Sequence, residues 1–359
     1  MVVAALLVFF AGVTGMAQAA SSRAVQGVVF YTTRRGDSLY RIAGHYLHRL
    51  DDWTAVARLN HLSAPWQIQS GRKLRLPVAL LKQATLSVKI RAVNGPVSYA
   101  HHGAAFTPLT TSVKLVEGDR VKTGDNGFAT FELPPDHSWL VMSPNSLLKV
   151  SALRQTVLTG TVDRVLNLQQ GKVESEVTPA RKENDHFQIH SPSVTAGVRG
   201  THFQIHSASD GTTDIEVLKG AVAVDGVDKS VSAQRRSHEL VTALHGNVTR
   251  ANGRVDTPRA LLPAPELTGP SRVQDGAGAS FDIKPVKGAR YYHVQICRDA
   301  GLLDRIHDTS ASITHVVIGP LPDGDYFMRV SAIDADGLEG VPGIYPFRWR
   351  GMDVSASRP

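Results

Sequence analysis

Apolar residues in this chain change their spacing once, and that change limits what it can fold into. Leu39, Ile42, Ala43, Tyr46 and Leu47 recur at the spacing of one buried helical face. From about Ala84 the repeat shortens to two, as in Leu86-Ser87-Val88-Lys89-Ile90 and Ala129-Thr130-Phe131-Glu132-Leu133. Turn clusters such as Gly124-Asp125-Asn126-Gly127 and Pro134-Pro135-Asp136 separate these runs. Successive side chains point to opposite faces of a strand but wind around a helix, so neither pattern can serve the other element. The expected fold is mainly β and multidomain, with a small helical module ahead of a long all-β region.

In the helical module, Asp37 or Ser38 can cap the first helix. A second helix is expected over Trp53 to Leu59, entered through Asp51 and Asp52, whose charge suits the positive end of the helix dipole. Phe30 to Thr32 opens the module as a strand. Lys73 to Leu76 closes it, with Leu74 and Leu76 inward and Pro77 ending the ladder. The order is strand, helix, helix, strand.

The words YTTRRGDSLYRIAGHYL, WTAVARLNHL and PWQIQSGRKLRLP, spread over Tyr31 to Pro77, resemble a LysM domain, the peptidoglycan- and chitin-binding module. The domain is expected over 28–78. The resemblance implies a shallow glycan groove with Gly36, Asp37, Ser38 and Leu39 on one side and Pro65, Trp66, Gln67 and Ile68 on the other. Backbone groups on these tight loops would bond the acetamide of an N-acetyl sugar, and Trp66 or Leu39 would cover its methyl. Leu39 and Ile68 also read as core residues. The binding so implied needs no ionisable catalyst, cofactor or metal.

Met1 to Gly15 is nearly all apolar and leads to Ala17-Gln18-Ala19, which has the small-x-small form of a signal-peptidase site. The expectation is a signal peptide over 1–19, export to the periplasm or cell envelope, and no stable membrane span after cleavage. No Lys or Arg precedes the apolar run, a departure from the pattern that leaves a start further upstream open, and retention as an anchor stays open too. The single cysteine, Cys297, excludes an intrachain disulfide.

The formal net charge is +7, and from Val28 to Lys82 nine Lys and Arg face three Asp. An exported basic module fits an acidic wall polymer better than nucleic acid, although Arg34, Arg35, Arg72, Lys73 and Arg75 also read as ordinary solvated charge. The expected partners are peptidoglycan and an unidentified envelope protein, with no nucleic acid.

Several words in the middle of the chain resemble a FecR domain, expected over 84–260. They are Ser191 to Thr201 (SPSVTAGVRGT) with the strand His202 to His206, Leu115 to Gly124 (LVEGDRVKTG), Asn145-Ser146 with Leu148, and Ile215 to Val224 (IEVLKGAVAV). The family's best-known members are membrane regulators that pass a signal from an outer-membrane receptor to a cytoplasmic sigma factor. Here the place of a sigma-binding segment is taken by the LysM-like module, so the resemblance implies an envelope scaffold or protein-binding role ahead of direct sigma-factor control. In Val198 to Thr201 the glycine permits a turn, and Arg199 and Thr201 can bond neighbouring strand ends. His186 to His190 and His202 to His206 are identical HFQIH pentapeptides. Only if the two strands paired could a His from each meet, so solvated His rows are expected and no metal site.

Leu261 to Pro265, with its close prolines, reads as the start of a linker over 261–270. Beyond it, Tyr291 to Ile296, Ile313 to Ile318 and Tyr326 to Ile333 read as strands. LPDGDYFMRV, Leu321 to Val330, resembles the late strand of a fibronectin type III domain, which implies a β-sandwich over 271–350 with Tyr326 as the corner tyrosine. Ile283 stands where such domains often carry Trp.

Catalytic constellations are missing from these patterns, and no enzyme activity is expected. Cys297 lies in a predicted strand, as a packing residue would. Glu174 and Glu176 share a strand face but read as solvated surface. Zinc-hydrolase and phosphate-loop words do not occur. The reading is a non-catalytic exported envelope protein that binds peptidoglycan and presents two β-rich domains as a scaffold. The alternative is a FecR-type signalling component positioned at the wall.

Overall fold

The computed structural model describes residues 27–63, 68–179, 182, 185–227, 237–269, 273–276, 278–319 and 321–351. They belong to two compact units divided after Lys82. The expected signal peptide lies outside the described residues.

The first unit runs β1 (Val28–Thr32), α1 (Leu39–Tyr46), a 3-10 turn (Leu50–Asp52), α2 (Trp53–Leu59) and β2 (Lys73–Pro77). Its order is the one the periodicity implies. Of the two candidate caps, Ser38 takes the role, its hydroxyl accepting the Arg41 N–H at 3.2 Å. Leu39, Ile42, Ala43 and Leu47 are buried with Val56, Leu74 and Leu76. Burial of each large apolar side chain stabilises the module by about 1.5–3 kcal/mol. Tyr46, expected on that face, is only half-buried, its ring 5.6 Å from that of Tyr31. β1 and β2 pair antiparallel from Val28 opposite Pro77 to Thr32 opposite Lys73, so the ladder includes the proline thought to stop it. Asn60 ties α2 to β2, donating to the Val56 and Arg75 carbonyls and accepting the Arg75 N–H at 2.7 Å.

In the second unit, strands from Gln83–Thr85 to Arg259–Ala260 hydrogen-bond into one closed sheet. Val162–Glu176 is its spine. The first half of that strand pairs antiparallel with Leu147–Thr156 and parallel with His186–His190. Its second half pairs with Ser138–Met142 and His202–Ser207. Gly171 sits between the halves at φ +87°, where a Cβ would lie 2.5 Å from the Ser146 Cα, so only glycine fits. Gly220, also at positive φ, turns Thr213–Lys219 into Ala221–Gly226, the expected strand, glycine turn and strand. The buried apolar face includes Phe131, Leu140, Leu166, Phe203, Ile215 and Val222.

Two further sheets follow. One orders Val273–Gly276, Gly343–Gly351, Gly324–Ile333, Tyr291–Cys297 and Arg305–Ala311; the other pairs Ala279–Asp282 with His315–Ile318. Their shared core holds Phe281, Ile296, Met328, Phe347 and Trp349. Ile283 is buried there, and Trp349 from the last strand supplies the indole bulk. The Tyr326 hydroxyl donates to the Pro322 carbonyl at 2.7 Å. Leu261–Glu266 forms neither helix nor strand. Its backbone is nonetheless engaged, since Leu261 donates to the Leu244 carbonyl, Val341 donates to that of Leu262, and Tyr345 reaches that of Pro265.

A layer of buried charge joins the closed sheet to these C-terminal sheets, and it overturns the reading of Glu174 as solvated surface. Glu174 is 3% exposed and accepts from Arg305, with Arg329 3.6 Å away and His202 Nε2 at 2.8 Å. Strand periodicity alone marks Glu174 as outward-facing; the opposing charges come from strands more than a hundred residues later. Glu176 on the same strand is half-buried and accepts from the Trp139 indole at 3.2 Å. Glu339 accepts from Lys172 and pairs with His293 Nδ1 at 2.9 Å, while His293 Nε2 meets Asp308 at 2.8 Å.

Candidate functional site

The loop after β1 carries the first wall of the expected groove. Gly36 adopts φ +87°, and its carbonyl accepts from Arg41 Nη1 at 2.9 Å. Asp37 Oδ2 accepts from the Arg34 N–H at 2.7 Å and from the Tyr31 hydroxyl at 2.8 Å. Burial, and next the bond to Asp37, push the Tyr31 phenol up to about 12. Asp37 thus organises its own loop, while Ser38 is spent on the helix cap. Leu39 is 1% exposed. Its side chain lies in the core, so Leu39 can offer a ligand backbone but not a cover for a methyl group.

On the second wall, Ile68 is half-buried, and Pro65, Trp66 and Gln67 lie outside the described residues. What joins the two walls is Thr33, a residue the sequence reading passed over. Its hydroxyl donates to the Gln69 carbonyl at 2.6 Å and accepts the Arg72 N–H at 2.9 Å. Its own N–H and C=O bond Arg72 and Gly71. Thr33, just past the end of β1, follows Tyr31 by two and is buried like it, and a buried Thr must find partners. That rule was the available signal. Tyr40, next to the loop on α1, is 55% exposed, and Arg34, Arg35, Arg72, Lys73 and Arg75 are exposed too.

The HFQIH copies do not pair with each other; each lies beside a different half of Val162–Glu176. Their histidines are not solvated rows throughout, since His202 bonds Glu174, and His206 Nδ1 meets Asp214 at 3.2 Å. Thr201 donates to the Ala221 carbonyl at 2.8 Å, the strand-end bond expected of it, whereas Arg199 is exposed. Cys297 is fully buried, and burial raises its thiol to about 12, which removes it as a nucleophile at neutral pH.

The charged layer of the second unit borders a cleft of about 590 Å³ whose walls include Ser207, Lys172, Glu216, His293 and Glu339. Burial, reinforced by Asp214 and Glu339 and opposed by Lys172, pushes the Glu216 carboxyl up to about 8. Burial disfavours charge on His293, yet Glu339 and Asp308 outweigh it and raise the imidazole to about 9. Most of these groups pair with each other, which suits a cohesive role in the unit.

Residues 31–77 match the family model of the LysM domain. Residues 119–223 match that of the FecR protein family. The chain therefore carries a LysM domain followed by a FecR domain. A relative from Deinococcus radiodurans, described as an uncharacterized protein, is 43% identical over 51 residues, which is 14% of this chain and 20% of that protein. The chain thus matches about a fifth of that relative's length. Two crystal structures of a candidate anti-sigma factor from Parabacteroides distasonis align with 39% of this chain and 59% of theirs, at 15% and 14% identity and TM-scores of 0.30 and 0.31. Likeness at that level carries no argument about function. Among the described residues, no helix is long and apolar enough to cross a membrane.

Proposed function

We propose that this chain is an exported, non-catalytic envelope protein that the LysM domain holds on peptidoglycan while the FecR domain and C-terminal sheets offer a binding surface to another envelope protein. The observation that carries this reading is the LysM match over 31–77, together with loops 33–39 and 68–72 tied to each other by Thr33. The glycan would lie between these loops, against Gly36, Asp37, Ser38 and the backbone of Leu39 on one side and Pro65, Trp66, Gln67 and Ile68 on the other. Tight loops with outward backbone groups suit an acetamide, and the exposed basic residues suit an acidic wall.

The corresponding organisation is a signal peptide over 1–19, LysM over 28–78, FecR over 84–260, a short connection over 261–270 and a fibronectin type III-like sandwich over 271–350. The bond from Tyr326 to the Pro322 carbonyl supports the last of these. A second reading, an envelope signalling component, is favoured by the FecR match over 119–223.

The test is retention of the purified chain on insoluble peptidoglycan across a salt series, beside the same chain lacking 28–77. Salt-resistant retention that requires the LysM domain supports the anchor. Retention that disappears with salt reduces it to charge attraction. Deleting the gene and profiling transcripts separates the two readings, because a signalling component would change a defined set of transcripts and a scaffold would not.

A further inference from the structure

The HFQIH histidines are dispersed, but another pair of histidines is gathered by the FecR-side sheet. Val97–Ala100 pairs antiparallel with Arg120–Thr123, ending with Ala100 opposite Arg120. The next residues, His101 and Asp119, therefore face each other at the ladder's end, and His101 Nδ1 lies 2.7 Å from Asp119 Oδ1. The chain then turns at His102, whose φ is +43°, and the two imidazole centroids come within 4.1 Å. One ligand atom from each of His101, His102 and Asp119 falls within 4.8 Å of the others.

Three features make this more than a chance encounter. Asp119 is fully buried, and its carboxylate is aimed by the Val116 N–H at 3.0 Å on Oδ2 and the His102 N–H at 3.4 Å on Oδ1. His102 Nε2 bonds the Glu117 carbonyl at 2.8 Å. As the donor in that bond, Nε2 carries the ring proton and leaves Nδ1 free to ligate, the arrangement by which metal-binding histidines are held. Gly118, at φ +97°, leaves room for that ring, since a Cβ there would stand 2.3 Å from it. Both histidines are exposed, so an ion can reach them.

We propose that His101, His102 and Asp119 bind one borderline divalent transition metal, such as zinc, through two imidazoles and one carboxylate, with water completing a tetrahedron. Ligand atoms on such an ion stand about 3.3 Å apart. The His101–Asp119 contact therefore opens slightly, and the His102 imidazole swings in. Imidazole with carboxylate suits zinc, copper or nickel and not magnesium or calcium. Arg120 and Lys149 line the adjoining cleft of about 480 Å³. A bound ion would fasten the 101–106 turn to the 116–119 turn.

The test titrates zinc into the chelator-stripped full chain by calorimetry and follows cobalt by its visible spectrum. Other His–carboxylate pairs exist, so His238→Ala, which breaks the exposed pair with Asp225, serves as the control. His102→Asn tolerates the positive φ, and His101→Gln preserves bulk. The expected result is one zinc per chain, weakened about tenfold or more by His101→Gln or His102→Asn and not by His238→Ala. The cobalt form should show the intense bands of a tetrahedral site. No stoichiometric zinc, equal binding by the variants, or an octahedral cobalt spectrum would overturn the site. If a variant fails to fold, the wild-type stoichiometry and cobalt spectrum decide.

Discussion

Glu174 and Arg305 stand 131 residues apart in the chain and meet as a charge pair closed to solvent, at 4% and 2% side-chain exposure. Desolvation alone would raise the Glu174 carboxyl, but Arg305 and Arg329 hold it well below the usual carboxylate range. Removing the charge leaves two buried guanidiniums with too little to neutralise them. Glu174→Gln should therefore lower the stability of the second unit by about 3–5 kcal/mol. Urea unfolding followed by tryptophan fluorescence reads this, and an unchanged midpoint would contradict the burial assigned here.

The same layer sets a pH profile. Glu216 is raised to about 8 in the fold. Its unfolded form releases the proton near 4.3, so stability falls as pH climbs from there to about 8. His293, raised to about 9, contributes stability that is complete below its unfolded value near 6.5 and lost as pH passes 9. Glu174 and Glu339 are lowered, so their contribution is lost on acidification. The unfolding midpoint should peak between about pH 5 and 6 and decline toward pH 9. Glu216→Gln should flatten part of that decline; a variant as steep as the parent would exclude Glu216 as a cause.

Thr33→Val keeps the side-chain shape while removing the hydroxyl's bonds to Gln69 and Arg72. Loosening the two loops should reduce peptidoglycan retention several-fold, with melting of the second unit unaltered. Undiminished retention would mean the loops hold their spacing without Thr33.

Asp37→Ala with Trp66→Ala tests the groove itself. Loss of retention with the second unit still folded is expected. Unchanged binding by a folded double variant would sink the groove assignment.

Gly171→Ala forces a Cβ against the Ser146 backbone at positive φ. A loss of about 3 kcal/mol or more is expected from the clash and the strained dihedral together. Thermal melting measures it directly, and a melt matching the parent would show that the spine can bend elsewhere.

The LysM domain was legible because its signals are local. Helical spacing placed Leu39 and Ile42 inside, and a hydroxyl at Ser38 capped what it preceded. Strand alternation likewise exposed the β-rich character from Leu86 onward. It failed at Glu174, because outward-facing on a strand means solvated only until another sheet covers that face. Residues 305 and 329, which supply the opposing charges, are too distant in the chain for a local pattern to connect. Thr33 was overlooked for a related reason. Its polar side chain reads as surface, although its position two after Tyr31 puts it inside.

The engaged backbone of Leu261–Glu266 has a practical consequence for anyone dissecting this protein. A gene truncated there would yield a closed sheet that presents Glu174 and Lys172 to water without Arg305 or Glu339, and a C-terminal fragment in which Arg305 has lost Glu174 and Glu339 has lost Lys172. The smallest piece worth purifying therefore begins near Gln83 and keeps the closed sheet and the C-terminal sheets together.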